Sequence, residues 1–178
     1  MERFDLFDKH GNKLDKTMLR GSKCKPGEYH KVVHIWIQNA KDEFLVQQRN
    51  KASDLYPYQW APTAGAVIAG ETALEAVIRE TKEEIGVLLK REEIIYKDTF
   101  FIEQYDTNYI IEVFLIHRDV DLNTCVIDKT EVKQIAYMSK KEILQRIRTK
   151  TFWDFLSLWP KIDYFRALRR NNEHINDW

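Results

Sequence analysis

Cysteine, glycine and proline are all scarce in this chain. Its 178 residues include two cysteines, six glycines and four prolines. Cys24 and Cys125 are far apart and lack metal-type spacing, so we expect two ordinary thiols in a reducing compartment rather than a disulfide framework. We find no internal repeat and no low-complexity linker, which favours one domain over residues 1–178.

An excess of charge of one sign and long apolar runs are also absent. Lysine plus arginine and aspartate plus glutamate both number 28, so the net charge is zero. This balance gives no support to a polyanion-binding surface or a membrane-surface helix. No early apolar run is typical of a signal peptide, and no run of about 18 apolar residues could span a membrane. We therefore expect a soluble cytoplasmic protein without nucleic-acid or membrane partners, either a monomer or a homodimer.

Strand and helix signals follow one another along the chain. Runs of β-branched and aromatic residues predict a hairpin over residues 3–17 and strands over residues 32–37, 44–49, 94–104, 109–116 and 132–138. Ser139 is predicted to cap a helix that runs to about Thr149, with Glu142 completing a capping box. The aromatic tail, residues 151–168, is predicted to be core or interface, broken into two helical pieces at Pro160. This order predicts an α/β protein with a mixed sheet.

Residues 65–87, with the sequence GAVIAGETALEAVIRETKEEIGV, predict a loop followed by a helix. We expect the loop to bend at Gly65 and Gly70. Thr72 is a natural N-cap that opens a capping box, and Gly86 is the expected C-terminal stop. Residues at helical spacing predict a buried stripe, namely Leu74, Val77, Ile78, Thr81 and Ile85.

Three carboxylates project from one side of this predicted helix. Glu80, Glu83 and Glu84 stand at positions i, i+3 and i+4. Carboxylates this close repel one another unless a cation lies among them. Hard oxygen ligands of this kind suit Mg²⁺ or Mn²⁺. The segment therefore predicts a metal site, with a solvent-exposed acidic helix face as the alternative.

The same segment resembles the Nudix box, whose pattern is G-x5-E-x7-R-E-U-x-E-E-x-G-U with U apolar. All fixed positions are matched, by Gly65, Glu71, Arg79, Glu80, Glu83, Glu84 and Gly86. Val87 fills the last apolar position. The departure is Thr81, where Ile, Leu or Val is usual. Because Thr is close to Val in shape, we expect this departure to affect packing slightly and not the metal site.

The resemblance implies the fold and chemistry of a Nudix hydrolase. It implies an α/β/α sandwich with a mixed sheet. It also implies hydrolysis of a nucleoside diphosphate linked to another moiety, or of a related organic diphosphate, with Mg²⁺ or alternatively Mn²⁺. The implied ligands and catalytic groups are Glu80, Glu83, Glu84, the Gly65 carbonyl and Arg79. Glu80 is favoured as the base, whereas the Glu71–Arg79 pair and Gly86 would be structural.

Two further groups of residues are candidates for the site. Many Nudix proteins add an acid outside the box, and the resemblance places it within residues 103–112, where the candidates are Glu103, Asp106 and Glu112. Glu112 could equally be a solvent-facing strand residue. An aromatic loop follows the predicted strand over residues 44–49. Its residues Tyr58 and Trp60 would either stack on a flat ligand or cover the edge of the core. The candidate substrate-binding residues are Gln48, Arg49, Lys51 and Trp60.

Residues 30–49 also resemble isopentenyl diphosphate isomerases of the same superfamily. Those enzymes carry a catalytic Cys and a metal-binding His beside the first box glycine, where this chain has Ala64 and Ala66. The thiol needed for proton transfer is missing, so an isomerase is the alternative and a hydrolase the preferred interpretation. His30 is interpreted either as a second metal ligand or as structural. A nucleotide-sensing module that lost turnover is a further alternative, although no box carboxylate is lost.

Overall fold

The computed structural model describes residues 1–50, 56–103, 108–154 and 164–168. Its strands are β1 (Arg3–Phe7), β2 (Lys13–Leu19), β3 (His30–Gln38), β4 (Glu43–Arg49), β5 (Trp60–Ala61), β6 (Thr63–Ala66), β7 (Ile95–Glu103), β8 (Asn108–His117) and β9 (Val132–Ser139). Its helices are α1 (Ala73–Ile85), α2 (Lys140–Arg148) and the short α3 (Tyr164–Ala167). The predicted hairpin, strands and two capped helices are confirmed.

Within the described residues, seven strands form one mixed sheet. Its main path runs β5-β4-β3-β8-β7, with β6 pairing with β3 and β9 pairing with β4. The β3–β8 pair is parallel, and the other pairs are antiparallel. The predicted α/β class with a mixed sheet is therefore confirmed.

The two faces of the sheet carry different helices. Neighbouring residues of a strand point to opposite faces, as Ile35 and Trp36 do in β3. Ile35 belongs to a buried cluster that includes Val77 of α1. Trp36 belongs to a second cluster that includes Ile143 of α2. The sheet thus lies between α1 and α2, as the sandwich architecture requires.

Helix α1 begins and ends at the residues that its sequence predicts. The Thr72 side chain accepts a hydrogen bond from the Glu75 backbone N–H, and the Glu75 carboxylate accepts one from the Thr72 backbone N–H, which completes the capping box. Gly86 ends the helix in the left-handed conformation with φ 72°. A Cβ atom at Gly86 would lie 2.6 Å from the backbone nitrogen of Val126, so this close approach also requires glycine. Thr81 is fully buried, and its hydroxyl donates to the Val77 carbonyl at 2.7 Å.

The predicted stripe of α1 is confirmed only in part. Val77, Thr81 and Ile85 are buried, whereas Leu74 and Ile78 are only partly buried. The sequence prediction missed two buried positions, Ala76 and Glu84. Glu84 was missed because its charge argues against burial, and its burial is explained by the partners described below.

The predicted bend at Gly65 is wrong, whereas the bend at Gly70 is confirmed by its φ of 85°. Gly65 lies within β6, opposite Val33 of β3. A Cβ atom on residue 65 would overlap the Glu80 side chain. The glycine therefore makes room for a neighbouring side chain and does not serve a special backbone conformation.

The β1–β2 hairpin is attached to the loop that precedes α1. The Ala69 N–H donates to the Arg3 carbonyl, and the Gly70 N–H donates to the Asp5 carboxylate, both at 2.8 Å. Phe4 forms a buried cluster against which Ile68 of this loop packs. The hairpin therefore braces the loop along one side.

The described part of the aromatic tail packs on its own chain. Phe152, Trp153, Phe165 and Leu168 are buried in the cluster on the α2 side of the sheet. The predicted break at Pro160 lies outside the described residues. Among the helices that the structure describes, none is long and apolar enough to cross a membrane.

Candidate active site

Helix α1 carries the three carboxylates with very different exposure. The Glu83 side chain is 60% exposed, whereas that of Glu80 is 13% exposed. Glu84 as a residue is only 7% exposed. Glu80 and Glu84 thus form a largely buried acidic pair, one helical turn apart, and Glu83 lies at its solvent edge.

Arg79 connects the loop to this acidic pair. Its Nε and Nη2 atoms donate to the two Glu71 carboxylate oxygens, each at 2.8 Å. Its Nη2 also donates to the Ala66 carbonyl at 2.9 Å. Its Nη1 donates to Glu80 at 2.7 Å and more weakly to Glu83 at 3.3 Å. The hydrogen bonds to Glu71 raise the pKa of Arg79 above its usual value. The predicted loop–helix pair of Glu71 and Arg79 is thus present in the structure.

Glu84 is held from the sheet side. Its Oε2 accepts a hydrogen bond from Gln47 Nε2 of β4 at 2.7 Å, and Gln47 Oε1 accepts one from the Thr63 hydroxyl at 3.3 Å. The pKa of Glu84 is raised to about 8, chiefly by burial and also by the negative charge of Glu80, although the Gln47 hydrogen bond opposes the shift. Glu84 is therefore an acid whose ionisation is costly without a cation nearby.

The pKa of Glu80 is shifted in the same direction as that of Glu84. Burial raises its pKa above the usual value, and the charge of Glu83 adds to this effect. The adjacent Arg79 guanidinium opposes the shift by hydrogen bonding and by its charge. The site therefore contains two interacting acids whose charged forms are both disfavoured by burial.

Glu131 is a site acid that the sequence prediction missed. Its negative charge raises the pKa values of both Glu80 and Glu84. The turn that carries it is pinned to α1, because the Asp128 N–H donates to the Glu84 carbonyl at 3.0 Å. The available sequence signal was an acid directly before a predicted strand. This hydrogen bond and the pairing of β9 with β4 together bring that acid to the box.

The residue types at this site fit a divalent cation. Carboxylate and carbonyl oxygens are hard donors, the type that Mg²⁺ and Mn²⁺ prefer. Gly65 lets the Glu80 side chain lie against the β6 backbone, where the Gly65 carbonyl is the further predicted ligand. Across the described residues, no three His, Cys, Asp or Glu side chains converge as a ligand set. Here the carboxylates bond instead to Arg79 and Gln47.

The predicted acids outside the box have other partners in the structure. Glu112 forms an ion pair with Lys31 at 2.6 Å. Glu103 accepts a hydrogen bond from the Tyr29 hydroxyl, and this bond raises the pKa of Tyr29 to about 12. The third candidate, Asp106, lies outside the described residues.

His30 is packed among aromatic rings. It is 6% exposed, stacks on Phe4 with ring centroids 5.1 Å apart, and meets the edge of Tyr109 at 4.9 Å. Burial lowers its pKa to about 4. These contacts favour the structural interpretation of His30 over the metal-ligand one.

The candidate substrate-binding residues separate into two groups. The positive charge of Arg49 lowers the pKa of Glu84, which places Arg49 near the acids. Trp60 lies away from the acids, because it is 7% exposed and belongs to the buried cluster that includes Ile143 of α2. The Arg146 guanidinium carbon lies 5.5 Å from the centroid of the Trp60 ring. Gln48 bonds to the Tyr58 carbonyl and to Gln134. Lys51 lies outside the described residues. Trp60 thus covers the core edge, as the alternative interpretation had it.

Comparison with known proteins identifies relatives of this chain. Residues 28–157 match the family model of the NUDIX domain. An uncharacterized Nudix hydrolase of Listeria monocytogenes is 33% identical over 144 residues, covering 80% of this chain and 83% of that protein. An isopentenyl-diphosphate Delta-isomerase of Escherichia coli is 36% identical over 84 residues, covering 47% of this chain and 46% of that protein.

A solved structure shares the fold. The crystal structure of DR0079 from Deinococcus radiodurans matches with a TM-score of 0.69, covering 88% of this chain and 95% of that one. The sequence identity is 20%, so this likeness concerns the fold alone.

Proposed function

The chain belongs to the Nudix family and is a Nudix-type pyrophosphohydrolase, and from this premise we propose the substrate class and the cation. The proposed substrate is a nucleoside diphosphate linked to another moiety, or a related organic diphosphate. The proposed cation is Mg²⁺, with Mn²⁺ as the alternative. One observation carries the proposal: Glu80 and Glu84 are both largely buried, and the charges of Glu83 and Glu131 add to the same acidic site.

The proposed ligands of the cation are Glu80, Glu83, Glu84 and the Gly65 carbonyl. When bound, a divalent cation supplies neutralisation of phosphate charge and activation of the attacking water. Burial of negative charge without a cation is unfavourable, which supports a ligand role for the two buried carboxylates. Glu131 is proposed as an additional acid of the same site.

The roles of the remaining groups follow from their contacts. Arg79 bonds to Glu71 and to Glu80 at once, so it would hold Glu80 in a fixed orientation relative to the loop. We propose Glu80 as the general base, because its carboxylate is largely buried at the site and Arg79 holds it in place. Arg49 would bind a phosphate group, since its charge already acts on Glu84.

The isomerase alternative has no support from the site. Ala64 and Ala66 flank Gly65, so neither the thiol nor the imidazole of an isomerase is present at those positions. Burial raises the pKa of the Cys24 thiol, which disfavours a reactive thiolate there.

The test is release of phosphate or pyrophosphate from a panel of nucleoside and non-nucleoside diphosphates, with Mg²⁺, with Mn²⁺ and with EDTA. Glu84→Gln is the inactivating variant. The matched control is Glu92→Gln, a charge loss at an exposed position in the turn after α1. Metal-dependent turnover that is lost in Glu84→Gln and kept in Glu92→Gln would support the proposal. No turnover across the panel, with tight nucleotide binding, would favour a sensing module.

Three sequence-based expectations stay predictions. They are one domain over residues 1–178, a cytoplasmic location, and a monomer or homodimer without nucleic-acid or membrane partners. Limited proteolysis, cell fractionation and sedimentation analysis would test them in turn.

A further inference from the structure

Gln47 joins the central sheet to the most buried carboxylate of α1. We infer that Gln47 is a positioning residue that holds Glu84 in the orientation needed for cation binding. This inference rests on the proposed function, because it assigns Gln47 a role toward the same cation.

The contact is buried on both sides. Gln47 and Thr63 are each 3% exposed, and Glu84 is 7% exposed. Gln47 lies on β4 and Thr63 on β6, so the chain Thr63–Gln47–Glu84 links two strands to the helix. Both strands pair with β3 in the middle of the sheet. A side chain held in this way has little freedom to turn.

The chemistry of an amide suits this position. Gln47 accepts at its carbonyl oxygen from the Thr63 hydroxyl, so its NH₂ group is directed to Glu84. One donated hydrogen bond occupies only part of a carboxylate, which leaves Oε1 and further lone pairs of Glu84 for a cation. The amide carries no charge, so it orients the carboxylate without neutralising it. A lysine or arginine at this position would neutralise the carboxylate and so replace the cation.

Glu80 and Glu84 are oriented by different parts of the molecule. Glu80 bonds to Arg79, which belongs to the same helix and is tied to the loop. Glu84 bonds to Gln47 across the interface between the helix and the sheet. Gln47 therefore fixes the distance of one ligand from the sheet, which the internal geometry of α1 cannot do. Partners of metal ligands in such positions typically change metal affinity about 10–100-fold when they are removed.

The main test is Mn²⁺ affinity without substrate, measured by electron paramagnetic resonance. Gln47→Met keeps the side-chain length and removes the donor. We expect its Mn²⁺ dissociation constant to rise about 10-fold or more. Its kcat should fall at low Mn²⁺ and recover when Mn²⁺ exceeds the new dissociation constant. The matched control is Gln38→Met, another buried strand glutamine that bonds to Asp42, and its Mn²⁺ affinity should equal that of the wild type.

A double-variant comparison separates positioning from general loss of structure. If Gln47 acts through Glu84, Gln47→Met should change Mn²⁺ affinity less than about 2-fold when Glu84→Gln is already present. An equal loss in both backgrounds would overturn the inference. So would a Gln47→Met protein with wild-type Mn²⁺ affinity.

Thr63→Val covers the case in which Gln47→Met does not fold. It removes the hydroxyl that orients the amide and keeps the shape of the side chain. We expect a loss of Mn²⁺ affinity smaller than that of Gln47→Met, and unchanged affinity would overturn the inference. The proposed function and the role of Gln47 can be refuted separately. A wild-type protein that binds no divalent cation refutes both. A wild-type protein that binds Mn²⁺, together with variants of equal Mn²⁺ affinity, refutes only the role of Gln47.

Discussion

Gly65 lies so close to the Glu80 carboxyl group that a Cβ atom at residue 65 would overlap it. The backbone of Gly65 is that of an ordinary strand residue paired with Val33. Any larger residue at this position would therefore force the Glu80 side chain to move, because of space and not because of torsion angles. This relationship makes the position of Glu80 sensitive to the smallest possible substitution.

Gly65→Ala should displace Glu80 and reduce kcat by about 100-fold, because a shift of about 1 Å in a catalytic group has an effect of that size. Steady-state kinetics at saturating Mg²⁺ would measure it. Ala64→Gly, which alters the neighbouring residue without adding atoms, should retain at least half of the activity. Full activity of Gly65→Ala would show that Glu80 can move without consequence.

Arg79→Lys should destabilise the fold by about 2 kcal/mol, because lysine cannot form the two parallel hydrogen bonds to Glu71. Urea denaturation of the metal-free protein would give the free energy of unfolding. Arg91→Lys, at an exposed arginine of the turn after α1, is the matched control. A loss of activity without any loss of stability would mean that the pair serves catalysis alone.

The metal-free protein should lose stability as the pH rises from about 4.5 to about 8. Burial raises the pKa of Glu84 from 4.5 to about 8 in the folded state, so folding favours the protonated form. The contribution of Glu84 to the free energy of unfolding is fully present below its pKa in the unfolded chain. It is lost as the pH rises through its pKa in the folded protein.

Thermal unfolding in EDTA at several pH values would measure this effect. The melting temperature of the wild type should fall by about 5 °C more between pH 5 and pH 8.5 than that of Glu84→Gln, which cannot ionise. Parallel curves for the two proteins would mean that Glu84 does not carry the pH dependence.

Glu131→Gln should lower the pKa values of Glu80 and Glu84, because it removes a negative charge that raises both. If Glu131 is also a ligand, Mn²⁺ affinity should fall about 10-fold. The pH–rate profile and Mn²⁺ titration separate the two effects, with Glu92→Gln as the control for loss of a distant charge. A variant that is unchanged in both measurements would remove Glu131 from the site.

Local sequence signals predicted α1 and α2 well, because their caps depend on residues only three positions apart. Thr72 with Glu75 and Ser139 with Glu142 both form the expected capping boxes. The strands were also predictable, since runs of apolar β-branched residues mark β3 and β8. Helix α1 could therefore be predicted with its ends and its three carboxylates.

Three features that the sequence did not decide depend on contacts between distant parts of the chain. Gly65 was expected to bend, because a glycine by itself does not reveal that β6 pairs with β3 and faces Glu80. Glu131 was missed because its place near the box depends on the pairing of β9 with β4. Trp60 was a candidate for ligand stacking, although the packing of α2 buries it. Sequence periodicity contains none of these relationships.

The hydrogen bonds from Ala69 and Gly70 to β1 connect the loop to the hairpin. Those two amides can exchange their hydrogens with solvent only when the hairpin separates from the loop. The opening equilibrium of the hairpin therefore sets how often the loop in front of α1 is released. The hairpin would in this way govern how long the loop in front of α1 keeps its shape.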